Sequence, residues 1–272
     1  MIDAALQATL RAAVREDGPL VFLTGAGISA ESGIPTFRGP EGYWTVGSRH
    51  YHPQELATAE AFGRMPREVW RWYLYRRAVC RAAAPNPGHL ALVELERRLG
   101  DRFVLVTQNV DGLHLRAGNS SERTLQIHGN IDFMRCAAAC STALVPVPDE
   151  LAARERDTPL SDATFAALRC PRCGRPARPH VLWFDEVYDE PLFRAATALG
   201  HARDAALLVV VGTAGATNLP LSIGAAVARA GRPVVDINPE ANPFAELAAR
   251  TGGAWLRAAA GEALPLLLPL LA

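Results

Sequence analysis

The sequence contains no lysine, and all 28 of its basic residues are arginine. The protein therefore has no side-chain amine that could itself be acylated. It also lacks an excess of charge of either sign, because 28 acidic residues balance the basic ones and the formal net charge is zero. Since nucleic-acid binding usually requires a strongly basic surface, the composition gives no support for a nucleic-acid partner.

Long hydrophobic runs are absent as well. No apolar stretch reaches the roughly 20 residues that a membrane span requires, and the C-terminal LPLLLPLLA is interrupted by Pro265 and Pro269. We expect this stretch to form a terminal helix and tail packed on the core. Residues 1–17 are amphipathic and include acidic residues, which is not the pattern of a signal peptide. These features predict a cytoplasmic protein without a membrane partner.

Cysteine is scarce, and four of the five cysteines form two close pairs, Cys136-x3-Cys140 and Cys170-x2-Cys173. Such pairs favour a metal site in a reducing compartment over a framework of disulfides. Four thiolates satisfy tetrahedral zinc and leave no open position, so we predict one structural zinc per chain. The fifth cysteine, Cys80, lies in an aromatic segment, where we expect it to be a buried apolar residue.

Four short apolar runs are typical of strands buried on both faces of a sheet, at residues 20–24, 103–106, 206–211 and 233–237. Helix-rich segments separate them, including residues 3–15, 54–83 and 89–99. Strands that alternate with helices predict a parallel sheet with right-handed crossovers. The predicted fold class is α/β, a large domain with a Rossmann-like parallel sheet that carries a helical module and an inserted zinc-binding module.

The boundaries of the proposed modules are the points where the alternation of strands and helices is interrupted. We assign the Rossmann-like domain to residues 1–35, 89–129 and 187–272. Residues 36–88 form a cofactor loop and the helical module, and residues 130–186, which contain the paired cysteines, form the zinc-binding module.

A glycine-rich turn follows the first strand. Gly25, Gly27 and Ala30 give the G-x-G-x-x-A spacing that is typical of dinucleotide binding. No long helix can follow, because Gly33-Ile34-Pro35 interrupts it, and residues 36–39 then place an aromatic ring and a guanidinium in a loop. The pattern predicts that a dinucleotide binds at the turn and that a loop folds over it.

The stretch GAGISAESGIPTFRG closely resembles the signature of the sirtuins, the NAD-dependent protein lysine deacylases. Two further motifs are similar to those of the family, TQNVDGLH at residues 107–114 and IHG at residues 127–129. The resemblance extends from residue 20 to the C-terminal turn, with the motifs in family order. It implies NAD as co-substrate, structural zinc, and acylated-lysine proteins as substrates.

The resemblance also implies the roles of individual residues. His128 is the implied general base, since an imidazole can accept a proton from a ribose hydroxyl at neutral pH, and Asn109 with Asp111 orients nicotinamide. The other implied cofactor contacts are Gly25, Ala26, Gly27, Ser29, Glu31, Thr36, Phe37, Arg38, Gln108, Val110, Gly212, Thr213, Ala214, Asn238, Pro239, Glu240 and Ala260.

The segment PHVLWFDE at residues 179–186 resembles the family segment that pairs with the substrate backbone, so a peptide is expected to add there as an extended strand. The substrate contacts implied in it are Val181, Trp183, Phe184 and Glu186. Asp185 stands where the family usually has glycine, and this residue bears on the path of the peptide.

Tyr73 and Arg76 are three residues apart in a predicted helix and therefore share a face, where a phenol and a guanidinium can clamp a carboxylate. This spacing resembles the sirtuin subgroup that removes succinyl and malonyl groups. The alternative is an aromatic core stripe with a solvated arginine. The loop at residues 45–55 is longer than is usual in that subgroup and is expected to narrow or cover the acyl pocket.

Other functions remain open at this point. The protein could be a plain lysine deacetylase without preference for acidic acyl groups. An ADP-ribosyltransferase or an NAD hydrolase would use the same NAD pocket without an acyl-lysine channel. A non-enzymatic alternative is an NAD-sensing module whose zinc unit contacts a partner, although His128, Asn109 and Asp111 argue against it.

Overall fold

The computed structural model describes residues 2–36, 53–151 and 158–271 of the chain. Its strands are β1 (Leu20–Thr24), β2 (Phe103–Thr107), β3 (Thr124–Gln126), β4 (Gly129–Cys136), β5 (Val145–Pro146), β6 (Ala177–Val181), β7 (Leu207–Val211), β8 (Val234–Ile237) and β9 (Ala254–Leu256). Its helices are α1 (Ala4–Arg15), α2 (Gly27–Ala30), α3 (Pro53–Leu56), α4 (Ala59–Arg64), α5 (Pro66–Ala82), α6 (Pro87–Leu99), α7 (Leu113–Ala117), α8 (Asp162–Ala167), α9 (Glu190–Phe193), α10 (Ala195–Asp204), α11 (Asn218–Arg229), α12 (Pro243–Arg250) and α13 (Ala260–Leu271).

Six parallel strands form the large sheet in the order β3-β2-β1-β7-β8-β9. The predicted α/β fold with a parallel Rossmann-like sheet is confirmed. Thr24 at the end of β1 is in register with Thr107 of β2 and Val211 of β7, so the loops that follow these three strands lie side by side. The edge strands β3 and β9 have three residues each, and a run that short carries no clear strand pattern in the sequence.

Helices cover both faces of the large sheet. The central strands β1, β2 and β7 are therefore buried along their whole length. One core joins the sheet to α1, α6 and α13, and the other joins it to α10, α11 and α12. Helix α13 continues through Pro265 and Pro269 and buries Leu264, Leu267 and Leu271, which offsets the two lost hydrogen bonds. None of the helices in the described ranges is both long and apolar enough to cross a membrane.

A second, antiparallel sheet in the order β5-β4-β6 carries the cysteine pairs. Strand β4 begins at Gly129, where φ is +87° and an added Cβ would lie 2.2 Å from the carbonyl oxygen of His180. Glycine is therefore required here, because the chain leaves His128 and immediately passes against β6.

The predicted helical segment 54–83 is divided into three helices. Thr58 caps α4, and Pro66 begins α5 at a position where proline is well tolerated. Helix α5 buries Trp70, whose indole Nε1 donates to the Ala177 carbonyl at 2.9 Å. A single apolar core thus joins α5 to the antiparallel sheet.

Candidate active site

The glycine-rich turn after β1 packs directly against the loop after β7. Gly25 N donates to Val211 O at 2.9 Å, and Gly27 N donates to Gly212 O at 2.7 Å. A Cβ on Gly27 would lie 2.6 Å from Gly212 Cα, and one on Gly25 would lie 2.6 Å from the Thr213 Cβ. These glycines therefore allow the loops after β1 and β7 to pack closely against each other. The fold itself requires glycine at both positions, independently of any ligand.

Asn109, Ser29 and Asp111 form a directed chain of hydrogen bonds at the ends of β1 and β2. The Ser29 hydroxyl donates to Asp111 Oδ2 at 2.7 Å, and Asn109 Nδ2 donates to Ser29 Oγ and to the Gly25 carbonyl, both at 3.1 Å. The Gly25 carbonyl can only accept, so the orientation of the Asn109 amide is fixed. Both amide protons of Asn109 are engaged, and its Oδ1 is the atom that remains for a donor on a ligand.

Burial raises the pKa of Asp111, while its hydrogen bonds from the Leu113 amide and from Ser29 act in the opposite direction. The Leu113 amide reaches Asp111 Oδ1 at 2.8 Å, so each carboxylate oxygen has one donor from the protein. Asp111 is only 5% exposed. A carboxylate held in this way is oriented rigidly beside Asn109, an arrangement that suits recognition of a carboxamide.

Gln108 connects the ends of three strands. Its Nε2 donates to Thr213 Oγ1 at 2.9 Å, and its Oε1 accepts from Thr217 Oγ1 at 3.2 Å. Asn238, after β8, donates from Nδ2 to the Thr213 carbonyl at 3.0 Å. The loops after β2, β7 and β8 are thereby tied into one polar edge, the place where open parallel sheets bind ligands.

His128 lies at this edge in a defined tautomer. Its Nδ1 is 3.0 Å from the Gln108 carbonyl, which can only accept, so Nδ1 carries the proton. Nε2 is therefore the unprotonated nitrogen, and it lies 2.7 Å from the Tyr188 hydroxyl. Burial lowers the pKa of His128 to about 4, so the ring is neutral at pH 7 and carries its lone pair on Nε2.

The remaining cofactor residues expected from the sequence lie in the loops that follow these strands: Ala26 after β1, Val110 after β2, Ala214 after β7, and Pro239 and Glu240 after β8. The Glu31 carboxylate accepts from the Gly261 amide at 2.7 Å, which brings Ala260 and the start of α13 beside α2. Thr36 is the last residue of its described range, whereas Phe37, Arg38 and residues 45–52 lie outside the described residues.

Tyr73 and Arg76 come together on the buried face of α5. Arg76 is 4% exposed, and its Cζ lies 4.7 Å from the Trp72 ring centroid and 5.7 Å from that of Tyr73. The alternative of a solvated arginine is therefore wrong. The Tyr73 hydroxyl accepts from Trp183 Nε1 at 2.9 Å, which leaves its own proton to be donated elsewhere. Burial raises the pKa of Tyr73 to about 12, so the phenol stays protonated.

Glu186 anchors the strap, residues 182–186, that follows β6. Its carboxylate pairs with both terminal nitrogens of Arg178 and accepts from the Trp183 amide at 2.9 Å. The Arg178 guanidinium also stacks on the Trp183 ring, with its Cζ 3.3 Å from the centroid. Val181 and the Leu182 amide continue the backbone pairing beside His128, since Leu182 N donates to the His128 carbonyl at 2.9 Å.

Asp185 has a structural partner that explains its departure from glycine. Its carboxylate accepts from the Ala59 and Glu60 amides at 2.8 and 3.1 Å, at the N-terminus of α4. The preceding residue, Phe184, donates its amide to the Ala57 carbonyl at 3.0 Å and leaves its ring 58% exposed. The strap is thus attached to the helical module, and the negative charge of Asp185 is offset by the helix N-terminus.

Asp185→Ala should lower the free energy of unfolding by about 1 kcal/mol, because two amides of α4 lose their acceptor. Thermal denaturation monitored by circular dichroism measures the change. Asp101→Ala is the control, since Asp101 is an exposed carboxylate that pairs with Arg123 and not with helix amides. Equal stability of the Asp185 variant and the control would show that the contact does not contribute.

Four cysteine sulfurs converge in the antiparallel module. They all lie within 4.8 Å of one another, and the Cys136–Cys173 and Cys140–Cys170 separations are 3.5 and 3.6 Å. Tetrahedral zinc with bonds of about 2.3 Å places its sulfurs about 3.8 Å apart. The thiols are positioned to hold a metal ion, as predicted for structural zinc, and the donor set fits it.

The unusual three-residue spacer between Cys136 and Cys140 is accommodated by a backbone reversal. Ala139 has φ of 49°, in the left-handed region, and its amide donates to the Cys136 carbonyl at 3.2 Å. The second cysteine pair, Cys170 and Cys173, is followed by Gly174, which is also in the left-handed region, with φ of 69°. Both pairs can therefore present their sulfurs to one ion. Cys80 lies apart from them and is buried in α5, as expected.

The fold and site together define a class of protein: an open parallel α/β sheet with a polar ligand site at the strand ends and a separate four-thiol metal module. A family model described as the Sir2 family matches residues 25–218. The chain belongs to the Sir2 family.

Relatives and solved structures agree with this assignment. The chain is 42% identical over 262 residues to an NAD-dependent protein deacylase of Thermus thermophilus, covering 95% of this chain and 92% of that protein. It is 40% identical over 238 residues to the mitochondrial NAD-dependent protein deacylase sirtuin-5 of Danio rerio, covering 82% and 75%. A crystal structure of a Sir2 homologue in complex with NAD is 35% identical, with a TM-score of 0.79 and coverage of 100% and 94%.

Proposed function

We propose that this protein is an NAD-dependent protein lysine deacylase, which transfers the acyl group of a modified lysine to ADP-ribose and releases nicotinamide. The observation that carries the proposal is the neutral His128, with its lone pair on Nε2, at the same sheet edge as the oriented Asn109 and Asp111. The relatives named as protein deacylases support it.

The residues act by position and by proton transfer. Asn109 Oδ1 and Asp111 are suited to hold the carboxamide of nicotinamide, because their protein hydrogen bonds fix their orientation. His128 Nε2 takes the proton of a ribose hydroxyl, and its Nδ1–H stays on the Gln108 carbonyl. When bound, NAD supplies the ADP-ribosyl group to which the acyl oxygen adds as nicotinamide departs.

The same assignment gives the other residues their roles. We propose that Gly25–Ser29, the loop at Gly212–Ala214, and Asn238 to Glu240 would hold the phosphates and riboses of NAD, and that Ala260 would contact the adenine. Glu31 and Thr36 would add further contacts, as would Phe37 and Arg38, which the sequence assigns to the cofactor loop. Zinc stabilises the antiparallel module and takes no part in the reaction. We also propose a cytoplasmic location for the protein, since paired free thiols favour a reducing compartment.

The peptide is expected to add as a strand along the strap, beside Val181, Phe184 and Glu186. Its acyl group then points toward Tyr73 and Arg76. The Tyr73 hydroxyl, which already accepts from Trp183, is oriented to donate, and Arg76 supplies a buried positive charge. We therefore propose that terminal carboxylates, as in succinyl and malonyl groups, are preferred over acetyl.

Arg76→Met should slow desuccinylation roughly 10- to 100-fold more than deacetylation, the range expected when a charge-assisted hydrogen bond is lost. The measurement is kcat/KM on acetyl, succinyl and malonyl forms of one peptide. Arg64→Met is the control, because Arg64 is an exposed arginine on α4 that pairs with the exposed Glu60. Acetyl removal that is faster than succinyl removal, and unchanged in the Arg76 variant, would indicate a plain deacetylase.

Nicotinamide release measured with and without an acylated peptide tests the proposal itself. A deacylase releases nicotinamide rapidly only when the peptide is present. An NAD hydrolase releases it equally without peptide, an ADP-ribosyltransferase labels protein with ADP-ribose, and an NAD-sensing module releases none. Any of these last three results contradicts the proposed function.

A further inference from the structure

Tyr188 is the side chain that meets the basic nitrogen of His128. The phenol oxygen lies 2.7 Å from Nε2, and the two ring centroids are 5.7 Å apart. Since Nδ1 carries the imidazole proton, the phenol must be the donor in this contact. Burial raises the pKa of Tyr188, so the phenol keeps its proton at neutral pH.

An imidazole nitrogen has a single lone pair, directed in the plane of the ring. A ribose hydroxyl that gives its proton to Nε2 must approach along that direction. The Tyr188 oxygen already occupies it, within hydrogen-bond distance. The phenol and a ribose hydroxyl therefore cannot both bind Nε2 directly.

Thr217 offers the phenol another partner. Its hydroxyl proton goes to Gln108 Oε1 at 3.2 Å, so its oxygen remains able to accept. Thr217 is close enough to Tyr188 to act on the phenol, whose pKa it lowers against the effect of burial. A phenol that leaves His128 can thus direct its proton to Thr217. It does not become a buried donor without an acceptor, which would be costly.

The backbone is anchored on both sides of Tyr188. Glu186, two residues earlier, is held by Arg178, and Asp189, the next residue, accepts from the Leu192 amide at 2.8 Å as the cap of α9. Between these fixed points lie only Val187 and Tyr188, and Val187 is 83% exposed. The anchors of the strap and of α9 thus lie on either side of Tyr188, whose ring also packs against the apolar core of α10, α11 and α12.

We propose that Tyr188 is a positioning residue that holds His128 Nε2 in the NAD-free protein and is displaced when the ribose of NAD takes its place. The displacement rests on the proposed function, whereas the contact in the NAD-free protein does not. The ribose must compete with the phenol for Nε2, so breaking the contact between Tyr188 and His128 opposes NAD binding. Tyr188 thus weakens NAD binding without taking part in the reaction.

Tyr188→Phe removes only the hydroxyl and keeps the ring. In the NAD-free protein it should raise the pKa of His128, because the neutral ring loses a donor, and NMR titration of the labelled histidine measures this change. In turnover it should lower KM for NAD roughly 2- to 10-fold, the range of one hydrogen bond, with kcat changed less than twofold. Tyr75→Phe, on the half-buried side of α5, is the matched control and should change neither.

An unchanged pKa of His128 in the Tyr188 variant would contradict the hydrogen bond between Tyr188 and His128 in the NAD-free protein. An unchanged KM for NAD would contradict displacement of Tyr188 by the ribose. A kcat lowered tenfold or more would show instead that the phenol relays the proton. If the wild-type protein releases no nicotinamide with acylated peptide, the proposed function fails. The NMR titration and the NAD affinity measured by calorimetry then still decide the two parts of the inference.

Discussion

His128→Ala should lower deacylation roughly 100-fold or more, the scale of a lost general base, while NAD binds with nearly the wild-type affinity. The reason is that His128 contributes a lone pair on Nε2, whereas the nicotinamide side of the site is held by Asn109, Ser29 and Asp111. Steady-state rates with an acylated peptide give the loss of turnover, and calorimetry gives the affinity for NAD.

The matched control is His201→Ala, because His201 lies on α10, away from the strand ends that form the site. It should deacylate at the wild-type rate. Native turnover in the His128 variant would mean that another group is the base. An equal loss of NAD affinity and turnover would mean that His128 acts in binding.

Cys173→Ala should abolish zinc binding and unfold the antiparallel module. Cys173 is exposed, so the substitution removes little packing and its effect reports the lost thiolate. Structural zinc in small sites contributes on the order of 10 kcal/mol to folding, more than the whole stability of many domains. Metal analysis should fall from one zinc per chain to none, and circular dichroism should show lost structure.

Cys80→Ala separates this effect from the loss of any cysteine. Cys80 is buried in α5 and is not one of the four converging thiols, so that variant should keep its zinc. A folded Cys173 variant with native circular dichroism would show that zinc does not hold the module together. Absence of zinc from the folded wild-type protein would contradict the prediction of a structural zinc site.

The sequence was sufficient where function depends on residue type and spacing. The apolar runs predicted the central strands of the sheet, because strands buried on both faces are continuous in hydrophobicity. The cysteine spacing predicted the four-thiol cluster, including the looser first pair, since sulfur ligands must be close whatever the local backbone. The reversal at Ala139 that makes this pair fit could not be predicted, because alanine carries no preference for a positive φ.

Contacts between distant segments were not accessible from the sequence. Ser29 and Asp111 are 82 residues apart, and their hydrogen bond depends on the register of β1 with β2. The spacing of Gly25 and Gly27 indicated a ligand turn, whereas their closest constraint is the neighbouring loop at Gly212. Asp185 appeared to be a departure from the family and proved to accept from the start of α4.

Tyr188 and Thr217 were missed for the same reason. A single tyrosine in an irregular segment carries no periodic signal, and Thr217 reads as an ordinary residue before a helix. The sequence indicates a place near the site only because Tyr188 follows Glu186 by two residues and Thr217 follows Thr213 by four. Arg178 was also missed, although an arginine inside the strand β6 is unusual enough to indicate a buried partner.

The stoichiometry of products from one reaction with NAD and a succinyl-lysine peptide tests the central claim most directly. Mass spectrometry should detect nicotinamide, unmodified peptide and O-succinyl-ADP-ribose in equal amounts. Nicotinamide accompanied by free ADP-ribose, with the peptide still succinylated, would contradict acyl transfer and identify the protein as an NAD hydrolase.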